Sequence, residues 1–263
     1  SWRVRPWIAP RVDRRVKGTG AMDLSQYSLV YNSLSFGIAT FGAATAFFWL
    51  NRSQVDSRYR TAITISGIVT LVAFYHYFRM FESLGSAFEV KGAKVSETGV
   101  PFNDAYRYVD WLLTVPLLLI ELILVMRLSA SETTSRSVSL GTAAALMIAL
   151  GYPGEVSAGI GSTRLLWGAL SMIPFLYIVY SLYSGLGKAI SEQPESVRDL
   201  VRLARNVTVV AWFFYPAVYF APFVVDISGA SAFTTVELGY TVADLVAKAA
   251  FGVLIYTIAV RKS

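Results

Sequence analysis

The chain has 263 residues, of which 55% are hydrophobic and 15% charged, and it contains no cysteine. Soluble domains are about one quarter charged, so this composition is too apolar for an ordinary soluble domain. The lack of cysteine excludes a disulfide framework and a thiolate metal site. The formal net charge is +6, but the basic residues stand between apolar runs and form no stripe. We therefore expect no nucleic-acid partner.

Apolar segments recur along the whole chain. Each is close to the roughly 20 residues that an α-helix needs to cross about 30 Å of hydrocarbon. We therefore predict an all-α membrane protein, a seven-transmembrane-helix bundle that is multi-pass in a cell membrane and surrounded by lipid. The predicted spans are 24–50, 59–83, 102–126, 137–153, 164–187, 201–225 and 234–260.

The first 21 residues differ from the rest of the chain. They carry six basic residues, and Pro6 and Pro10 disfavour a long helix there. They also lack the apolar core of a signal peptide. We divide the chain into a basic amino-terminal tail, 1–21, and a seven-helix domain, 22–263.

Basic residues in the connections predict the orientation, because cytoplasmic loops of membrane proteins are enriched in lysine and arginine. If the amino end lies outside, the external connections after the tail hold only Lys91, Lys94 and Arg164, and the cytoplasmic segments hold eleven basic residues. The expected arrangement is amino end outside and carboxyl end cytoplasmic. The basic tail is the one feature that opposes it.

The second span contains His76, the only histidine of the chain, in its outer half. It is either a core histidine satisfied by its neighbours or a group that tunes a carboxylate within the membrane. No further ligands stand at coordinating spacing, so no metal site is predicted. After this span, the alternation and the glycine of residues 90–95 predict a small β-hairpin between helices 2 and 3, outside the bilayer.

The third span carries a polar stripe. Arg107, Asp110, Thr114, Leu118 and Glu121 are spaced 3, 4, 4 and 3 residues apart, which places them on one face of a helix. Ionisable groups avoid lipid, so this face is expected to point into the bundle. Arg107 would keep Asp110 ionised, whereas Glu121, among leucines, is expected to stay protonated. The two carboxyl groups would lie about 16 Å apart along the axis.

Two features are predicted for the later spans. The fourth run ends at Gly-Tyr-Pro-Gly, residues 151–154, which is a turn signature. Four aromatic residues lie inside apolar runs; ordinary core packing explains any one of them, but together they could wall a slot for a flat, apolar ligand. They are Trp111, Trp212, Tyr215 and Tyr240.

The seventh span contains Lys248, with Asp244 one turn before it on the same face. Two interpretations stay open. The pair is either a buried ion pair that fixes helix packing, or it includes a lysine kept from water for Schiff-base chemistry. In the predicted orientation Asp110 and Asp244 lie on the outer side of Lys248, and Glu121 lies on the inner side. This asymmetry indicates a proton relay with a direction.

Several stretches resemble the microbial rhodopsins, and the resemblance extends from Met22 nearly to the end of the chain. The closest match is to the xanthorhodopsin-like branch of the proteorhodopsin pumps. The matching stretches are 75–79, 102–106, 107–121, 151–155, 212–216 and 244–248.

The resemblance implies a light-driven outward proton pump with all-trans retinal, in a bacterial plasma membrane. Lys248 would hold retinal as a protonated Schiff base. Asp110 would be its counterion and proton acceptor, and Asp244 the second counterion. The resemblance also implies that Glu121 is the cytoplasmic donor, Arg107 organises the outward side, His76 pairs with Asp110 and Thr114 bonds near Asp110. The retinal would contact Trp111, Trp212, Tyr215 and Pro216 along its chain, and Met147 and Gly151 nearer its ring.

Finer implications follow from single positions. Leu118 stands where leucine accompanies green absorption in proteorhodopsins. Gly168 matches a glycine that opens a window for a carotenoid antenna, although close helix packing by a small residue explains it equally well. Family members form homo-oligomers, pentamers or trimers. The group that releases the proton outside stays open among Glu155, Asp226 and Glu237.

Competing functions make different demands on the same positions. A chloride pump would lack the carboxylate at 110, and a sodium pump would replace Asp110, Thr114 and Glu121 by asparagine, aspartate and glutamine. The serious alternative is a photosensory rhodopsin that signals to a separate transducer, which needs Lys248 but no donor at 121. A transporter without retinal would tolerate the loss of Lys248.

Overall fold

A computed structural model describes residues 22–157, 161–224 and 229–263. The predicted basic tail, 1–21, therefore lies outside the described residues, and so does Asp226. Within the described ranges, seven long helices follow one another along the chain. They are α1 (Leu24–Leu50), α2 (Arg60–Ala87), α3 (Ala105–Met126), α4 (Ala130–Glu155), α5 (Ser162–Tyr180), α6 (Glu195–Phe220) and α7 (Gly229–Lys262).

Length and hydropathy agree with a bundle that spans a membrane. Six of these helices are long and apolar enough to cross a bilayer, and α6 is the exception among the described residues. It starts at Glu195, six residues before the predicted span, and its first turns carry Arg198, Arg202 and Arg205. Its second half is apolar and continues the bundle.

The third helix occupies the interior of the bundle. Within an apolar stretch of 18 residues taken from each helix, 61% of the stretch is buried in α3, against 28% in α1 and in α5. Polar residues on α3 are therefore shielded from lipid by the surrounding helices, as an ionisable stripe within a membrane requires.

The predicted hairpin is present between α2 and α3. Strand β1 (Phe88–Lys91) pairs antiparallel with β2 (Lys94–Glu97), with Val90 opposite Val95. Gly92 adopts a φ of 62° in the two-residue turn, a left-handed conformation that glycine reaches without steric cost.

The predicted turn at 151–154 is wrong, because α4 continues through these residues to Glu155. The helix carries Pro153 in its last turn, where the proline removes only one hydrogen bond. The end of the helix is stabilised instead by the Ser157 hydroxyl, which donates to the carbonyl of Gly154 at 2.7 Å. The fourth helix is consequently longer than its apolar run suggested.

The seventh helix changes its winding where it carries the buried lysine. Residues Leu245–Ala250 form a π-helical segment between the α-helical parts Gly229–Asp244 and Phe251–Lys262. Such single-turn π segments occur frequently at functional sites. The wider turn begins directly after Asp244 and contains Lys248.

Candidate functional site

A buried lysine lies between two carboxylates at the centre of the bundle. The Lys248 side chain is 1% exposed, and its Nζ contacts Asp110 Oδ2 and lies 3.1 Å from Asp244 Oδ1. Two charges removed from water are costly unless they are paired and hydrogen-bonded. The sequence brings the three groups together from α3 and α7, as the polar stripe and the i, i+4 spacing predicted.

The carboxylate of Asp244 is held by donors from several helices. It accepts hydrogen bonds from the Tyr77 hydroxyl at 2.8 Å, the Tyr215 hydroxyl at 2.9 Å and Trp111 Nε1 at 3.0 Å. One Arg107 nitrogen lies 3.3 Å away. Bonds of this kind to a charged acceptor are stronger than neutral ones. Asp244 is therefore held as a fixed anion beside Lys248.

The carboxylate of Asp110 is bonded very differently. Oδ2 contacts Lys248, while Oδ1 is buried with no hydrogen-bond partner in the described part of the chain. The Thr114 hydroxyl, predicted to bond near Asp110, donates to the main-chain carbonyl of Asp110 at 2.8 Å. Because fewer donors stabilise its charge, Asp110 is the better of the two carboxylates to accept a proton from Lys248.

The structure gives His76 a partner other than the predicted one. Its Nδ1 lies 2.9 Å from the carbonyl oxygen of Val72, and its ring packs edge-on against Tyr75. The predicted partner of His76 was the carboxylate of Asp110. No hydrogen bond joins the two side chains within the described ranges, so a direct pair is not formed.

Arg107 lies between Asp244 and a second buried carboxylate. Its guanidinium donates to Glu237 Oε2 at 2.6 Å, and both side chains are 3% exposed. The rings of Tyr77 and Tyr240 lie 5.5 and 5.4 Å from the guanidinium carbon. Sequence reasoning named Glu237 only as one of three release candidates. Glu237 stands seven residues before Asp244, which is two helical turns along α7. This spacing places both carboxylates on the same face of the helix, and it is the sequence signal that could have singled out Glu237.

Glu121 lies on the other side of Lys248 from Arg107, and it is fully buried. Its Oε2 accepts a hydrogen bond from the hydroxyl of Ser66 on α2, and Oε1 has no partner among the described residues. Sequence reasoning missed Ser66, because a serine in an apolar run carries no distinguishing pattern. A carboxyl group with one such contact and no nearby cation can store a proton.

An apolar cavity leads away from Lys248 between the helices. The empty space of the cavity, together with the space that is open to its surroundings, amounts to about 760 Å³. All ten residues predicted to bind a cofactor line it, and so do Tyr108, Phe175 and Tyr219. The ten are Trp111, Leu118, Met147, Gly151, Gly168, Trp212, Tyr215, Pro216, Tyr240 and Lys248.

Aromatic rings form the wall of this cavity near the lysine. The Trp111 ring meets Tyr215 and Tyr240 edge-on at centroid distances of 4.9 and 5.2 Å, and the two tyrosines stack on each other at 5.8 Å. Such arrangements stabilise aromatic clusters beyond their buried area. The result is a rigid wall with apolar faces, suited to a long conjugated ligand.

Gly168 is buried on α5 where α6 approaches closely. A Cβ atom at this position would lie 2.7 Å from Phe220 Cζ, and it would also collide with Tyr219. A side chain of any size therefore requires these rings to move. This contact explains the glycine by close packing between helices, independently of any additional ligand.

Comparisons with known proteins agree with this geometry. The family model described as bacteriorhodopsin-like protein matches residues 28–262. The blue-light absorbing proteorhodopsin of Gamma-proteobacterium Hot 75m4 is 34% identical over 233 residues, covering 88% of this chain and 86% of that protein. Bacteriorhodopsin of Halobacterium salinarum is 33% identical, and the match covers 84% of this chain and 80% of that protein.

Solved structures lead to the same family. The structure of xanthorhodopsin, described as a light-driven ion pump with dual chromophore, is 46% identical with a TM-score of 0.88, covering 92% of this chain and 96% of that one. A thermophilic rhodopsin is 45% identical with a TM-score of 0.87 and the same coverage of both chains. The chain belongs to the bacteriorhodopsin-like family of microbial rhodopsins and is a multi-pass membrane protein.

Proposed function

We propose that this protein is a light-driven outward proton pump that binds retinal covalently at Lys248. One observation carries the proposal. The Nζ of the buried lysine lies between Asp110 and Asp244 at the end of an apolar cavity walled by aromatic rings. The description of xanthorhodopsin as a light-driven ion pump supports the same function.

The residues around the cavity fit retinal. Most of the described residues that line it are apolar or aromatic, and Lys248, the one lysine among them, supplies a primary amine for a Schiff base. When bound, retinal would supply the absorption of visible light and a change in the direction in which the Nζ–H bond points. The retinal-binding domain is residues 22–263, with 1–21 as a separate tail.

The side chains of this chain would then handle the proton. Asp110 takes it from Nζ, because one of its carboxylate oxygens has no competing donor within the described residues. Asp244 keeps its charge through its bonds to Tyr77, Tyr215 and Trp111. Glu121 returns a proton to Nζ from the opposite side. The order of groups along α3 therefore sets the direction of transport.

Outward transport requires the amino end outside and the carboxyl end in the cytoplasm, which is the orientation that the basic residues favour. In this orientation Asp110 and Arg107 face the exterior and Glu121 faces the cytoplasm. Each proton moved outward works against about 2.3 kcal/mol per 100 mV of membrane potential. The proton would be moved against this potential along the buried charged groups of α3 and α7.

A carotenoid antenna near Gly168 and assembly into pentamers or trimers are finer parts of the proposal. The dual chromophore in the description of xanthorhodopsin supports the antenna, whereas the contact of Gly168 with Phe220 supports close packing. An excitation spectrum of the purified protein with an added carotenoid tests the antenna. Energy transfer to retinal is the expected result, and its loss in a Gly168→Trp variant that keeps the visible retinal band would localise the carotenoid.

Replacement of the buried lysine tests the chromophore. We expect Lys248→Ala to abolish the visible absorption band of the protein reconstituted with retinal, because no other amine lines the described cavity. Lys188→Ala is the matched control, since Lys188 has an 87% exposed side chain and its loss should leave the band unchanged. Absorption spectra and the intact mass after borohydride reduction measure both. A coloured, covalent adduct in Lys248→Ala would refute the assignment.

A further inference from the structure

Lys262 joins three parts of the bundle at the end opposite Arg107. Its Nζ donates to the carbonyl oxygens of Val125 at 2.8 Å and Met126 at 3.3 Å, and to Gln193 Oε1 at 2.8 Å. The last carbonyls of a helix have no partner within that helix. The carboxyl end of α3 is therefore capped by a side chain from the last turn of α7.

Gln193 completes the same arrangement from the connection between α5 and α6. Its side chain is buried, and its Nε2 donates to Met126 O and Ala189 O, both at 3.1 Å. The main-chain carbonyl of Gln193 accepts two hydrogen bonds from the guanidinium of Arg198 on α6, at 3.1 and 3.2 Å. We call Lys262, Gln193 and the two α3 carbonyls the α3–α7 clasp.

The clasp lies directly beyond Glu121. Val125 is four residues after Glu121 along α3, about 6 Å at 1.5 Å per residue. The side chains of Leu122, Ile123, Val125 and Met126 are apolar and at most 2% exposed. In this closed arrangement, α3 offers no polar side chain between Glu121 and the end of the helix.

We propose that the α3–α7 clasp holds the cytoplasmic end of the bundle shut, and that its release sets the rate at which a proton reaches Glu121. The proposal rests on the pump function and the orientation proposed above. Physically, α3, α7 and the α5–α6 connection cannot separate unless the bonds of Lys262 and Gln193 break. While they hold, the apolar side chains around Glu121 stay packed and exclude water.

Proton uptake after a light flash tests the clasp. We expect Lys262→Met to speed uptake from the cytoplasmic side about tenfold, the factor that corresponds to one hydrogen bond made by a charged group. Lys262→Arg retains the cation, and its uptake rate should be close to that of the wild type. Arg261→Met is the matched control, because Arg261 is exposed and its one hydrogen bond to the described residues goes to the Ser196 carbonyl, at 3.4 Å.

A pH-indicator dye measures the uptake, and the visible band and the deprotonation rate of Lys248 should remain as in the wild type. A merely structural role would change stability without this selective effect on uptake. If Lys262→Met does not fold, Gln193→Leu removes the second anchor and should act in the same direction. An uptake rate equal to that of the wild type in a folded variant would overturn the proposal.

Hydrogen–deuterium exchange in the dark separates this proposal from the pump function. Backbone amides of residues 121–127 should exchange about tenfold faster in Lys262→Met, with no change in Arg261→Met, whether or not the wild type pumps. Faster exchange with unchanged uptake would mean that the clasp holds the helix end without gating the proton. Unchanged exchange would mean that it holds nothing. Either result overturns the proposal, whereas a colourless wild type contradicts the pump function alone.

Discussion

At the scale of single residues, the unequal bonding of two carboxylates gives the centre its chemical direction. Asp244 accepts from Tyr77, Tyr215 and Trp111 as well as facing Lys248, while Asp110 relies on Lys248. Two identical side chains on the same cation therefore have different tasks. Asp244 keeps its negative charge, and Asp110, whose charge is less stabilised, can take up the proton.

Acidification should shift the visible band to longer wavelength as Asp110 becomes protonated, because the negative charge beside Lys248 then disappears. Asp110→Asn should show the shifted band already at neutral pH. Asp199→Asn is a suitable control, since the side chain of Asp199 is 87% exposed, and it should titrate as the wild type does. Absorption spectra over a range of pH measure the shift. A wild-type band that does not move on acidification would exclude Asp110 as the counterion.

Glu121→Gln should slow the reprotonation of Lys248 by about 100-fold, the scale of a contribution from a positioned proton donor. The colour should change little, because Glu121 is far from Nζ along α3. Flash spectroscopy measures the rate, and Glu192→Gln, whose side chain is 63% exposed, serves as the control. Reprotonation as fast as in the wild type would remove Glu121 from the relay.

Spacing along the sequence predicted which residues share a face of a helix. It predicted less about the residues of other helices that they contact. The stripe on α3 and the pair on α7 follow from helical periodicity alone. The bonds of Tyr77 to Asp244 and of Ser66 to Glu121 join different helices, so no spacing within one helix could reveal them. The contact of His76 differs, because its partner is the carbonyl of Val72, four residues earlier on the same helix, and not the predicted Asp110 on α3.

At the scale of helices, the sequence predicted the number of spans and the hairpin, but not every boundary. The turn predicted at 151–154 rested on glycine and proline, which end helices in soluble proteins. In α4 the helix continues to Glu155, because Pro153 stands in the last turn, where a proline removes only one hydrogen bond. The π-helical segment at Leu245–Ala250 had no sequence signal, since it depends on how α7 packs around Lys248.

Gly37 on α1 allows Tyr77 to reach Asp244. A Cβ atom at this position would lie 2.5 Å from Tyr77 Cδ1 and 2.6 Å from Cε1, so Gly37→Ala should displace the ring and cost about 1–3 kcal/mol by overpacking. The absorption band should shift as well, because Tyr77 holds the anion beside Lys248. Thermal unfolding followed by loss of colour measures both effects.

Gly85→Ala on α2 is the matched control for this glycine. Nothing lies within 4 Å of a Cβ atom at that position, and alanine is the better helix former by about 1 kcal/mol. We expect an unchanged band and equal or greater stability in Gly85→Ala. Equal stability and equal colour of Gly37→Ala and the wild type would show that the α1–α2 contact does not support the centre.

At the scale of the whole molecule, the seven helices separate a buried charged centre from two different ends. Toward one end, Arg107 and Glu237 continue the line of polar groups from Asp110. Toward the other, apolar side chains surround Glu121 up to the clasp formed by Lys262 and Gln193. A path that is polar on one side of Lys248 and apolar on the other suits a pump, which must not connect both sides of the membrane at once.

The most direct test of the central claim is the light-induced pH change in a suspension of cells that express the protein with added retinal, with and without a protonophore. We predict acidification of the medium that the protonophore abolishes, because the proposed orientation places Asp110 toward the exterior and Glu121 toward the cytoplasm. A coloured protein that leaves the pH of the medium unchanged would contradict the pump and favour a photosensory rhodopsin. Alkalinisation that the protonophore abolishes would contradict the direction assigned from the basic residues.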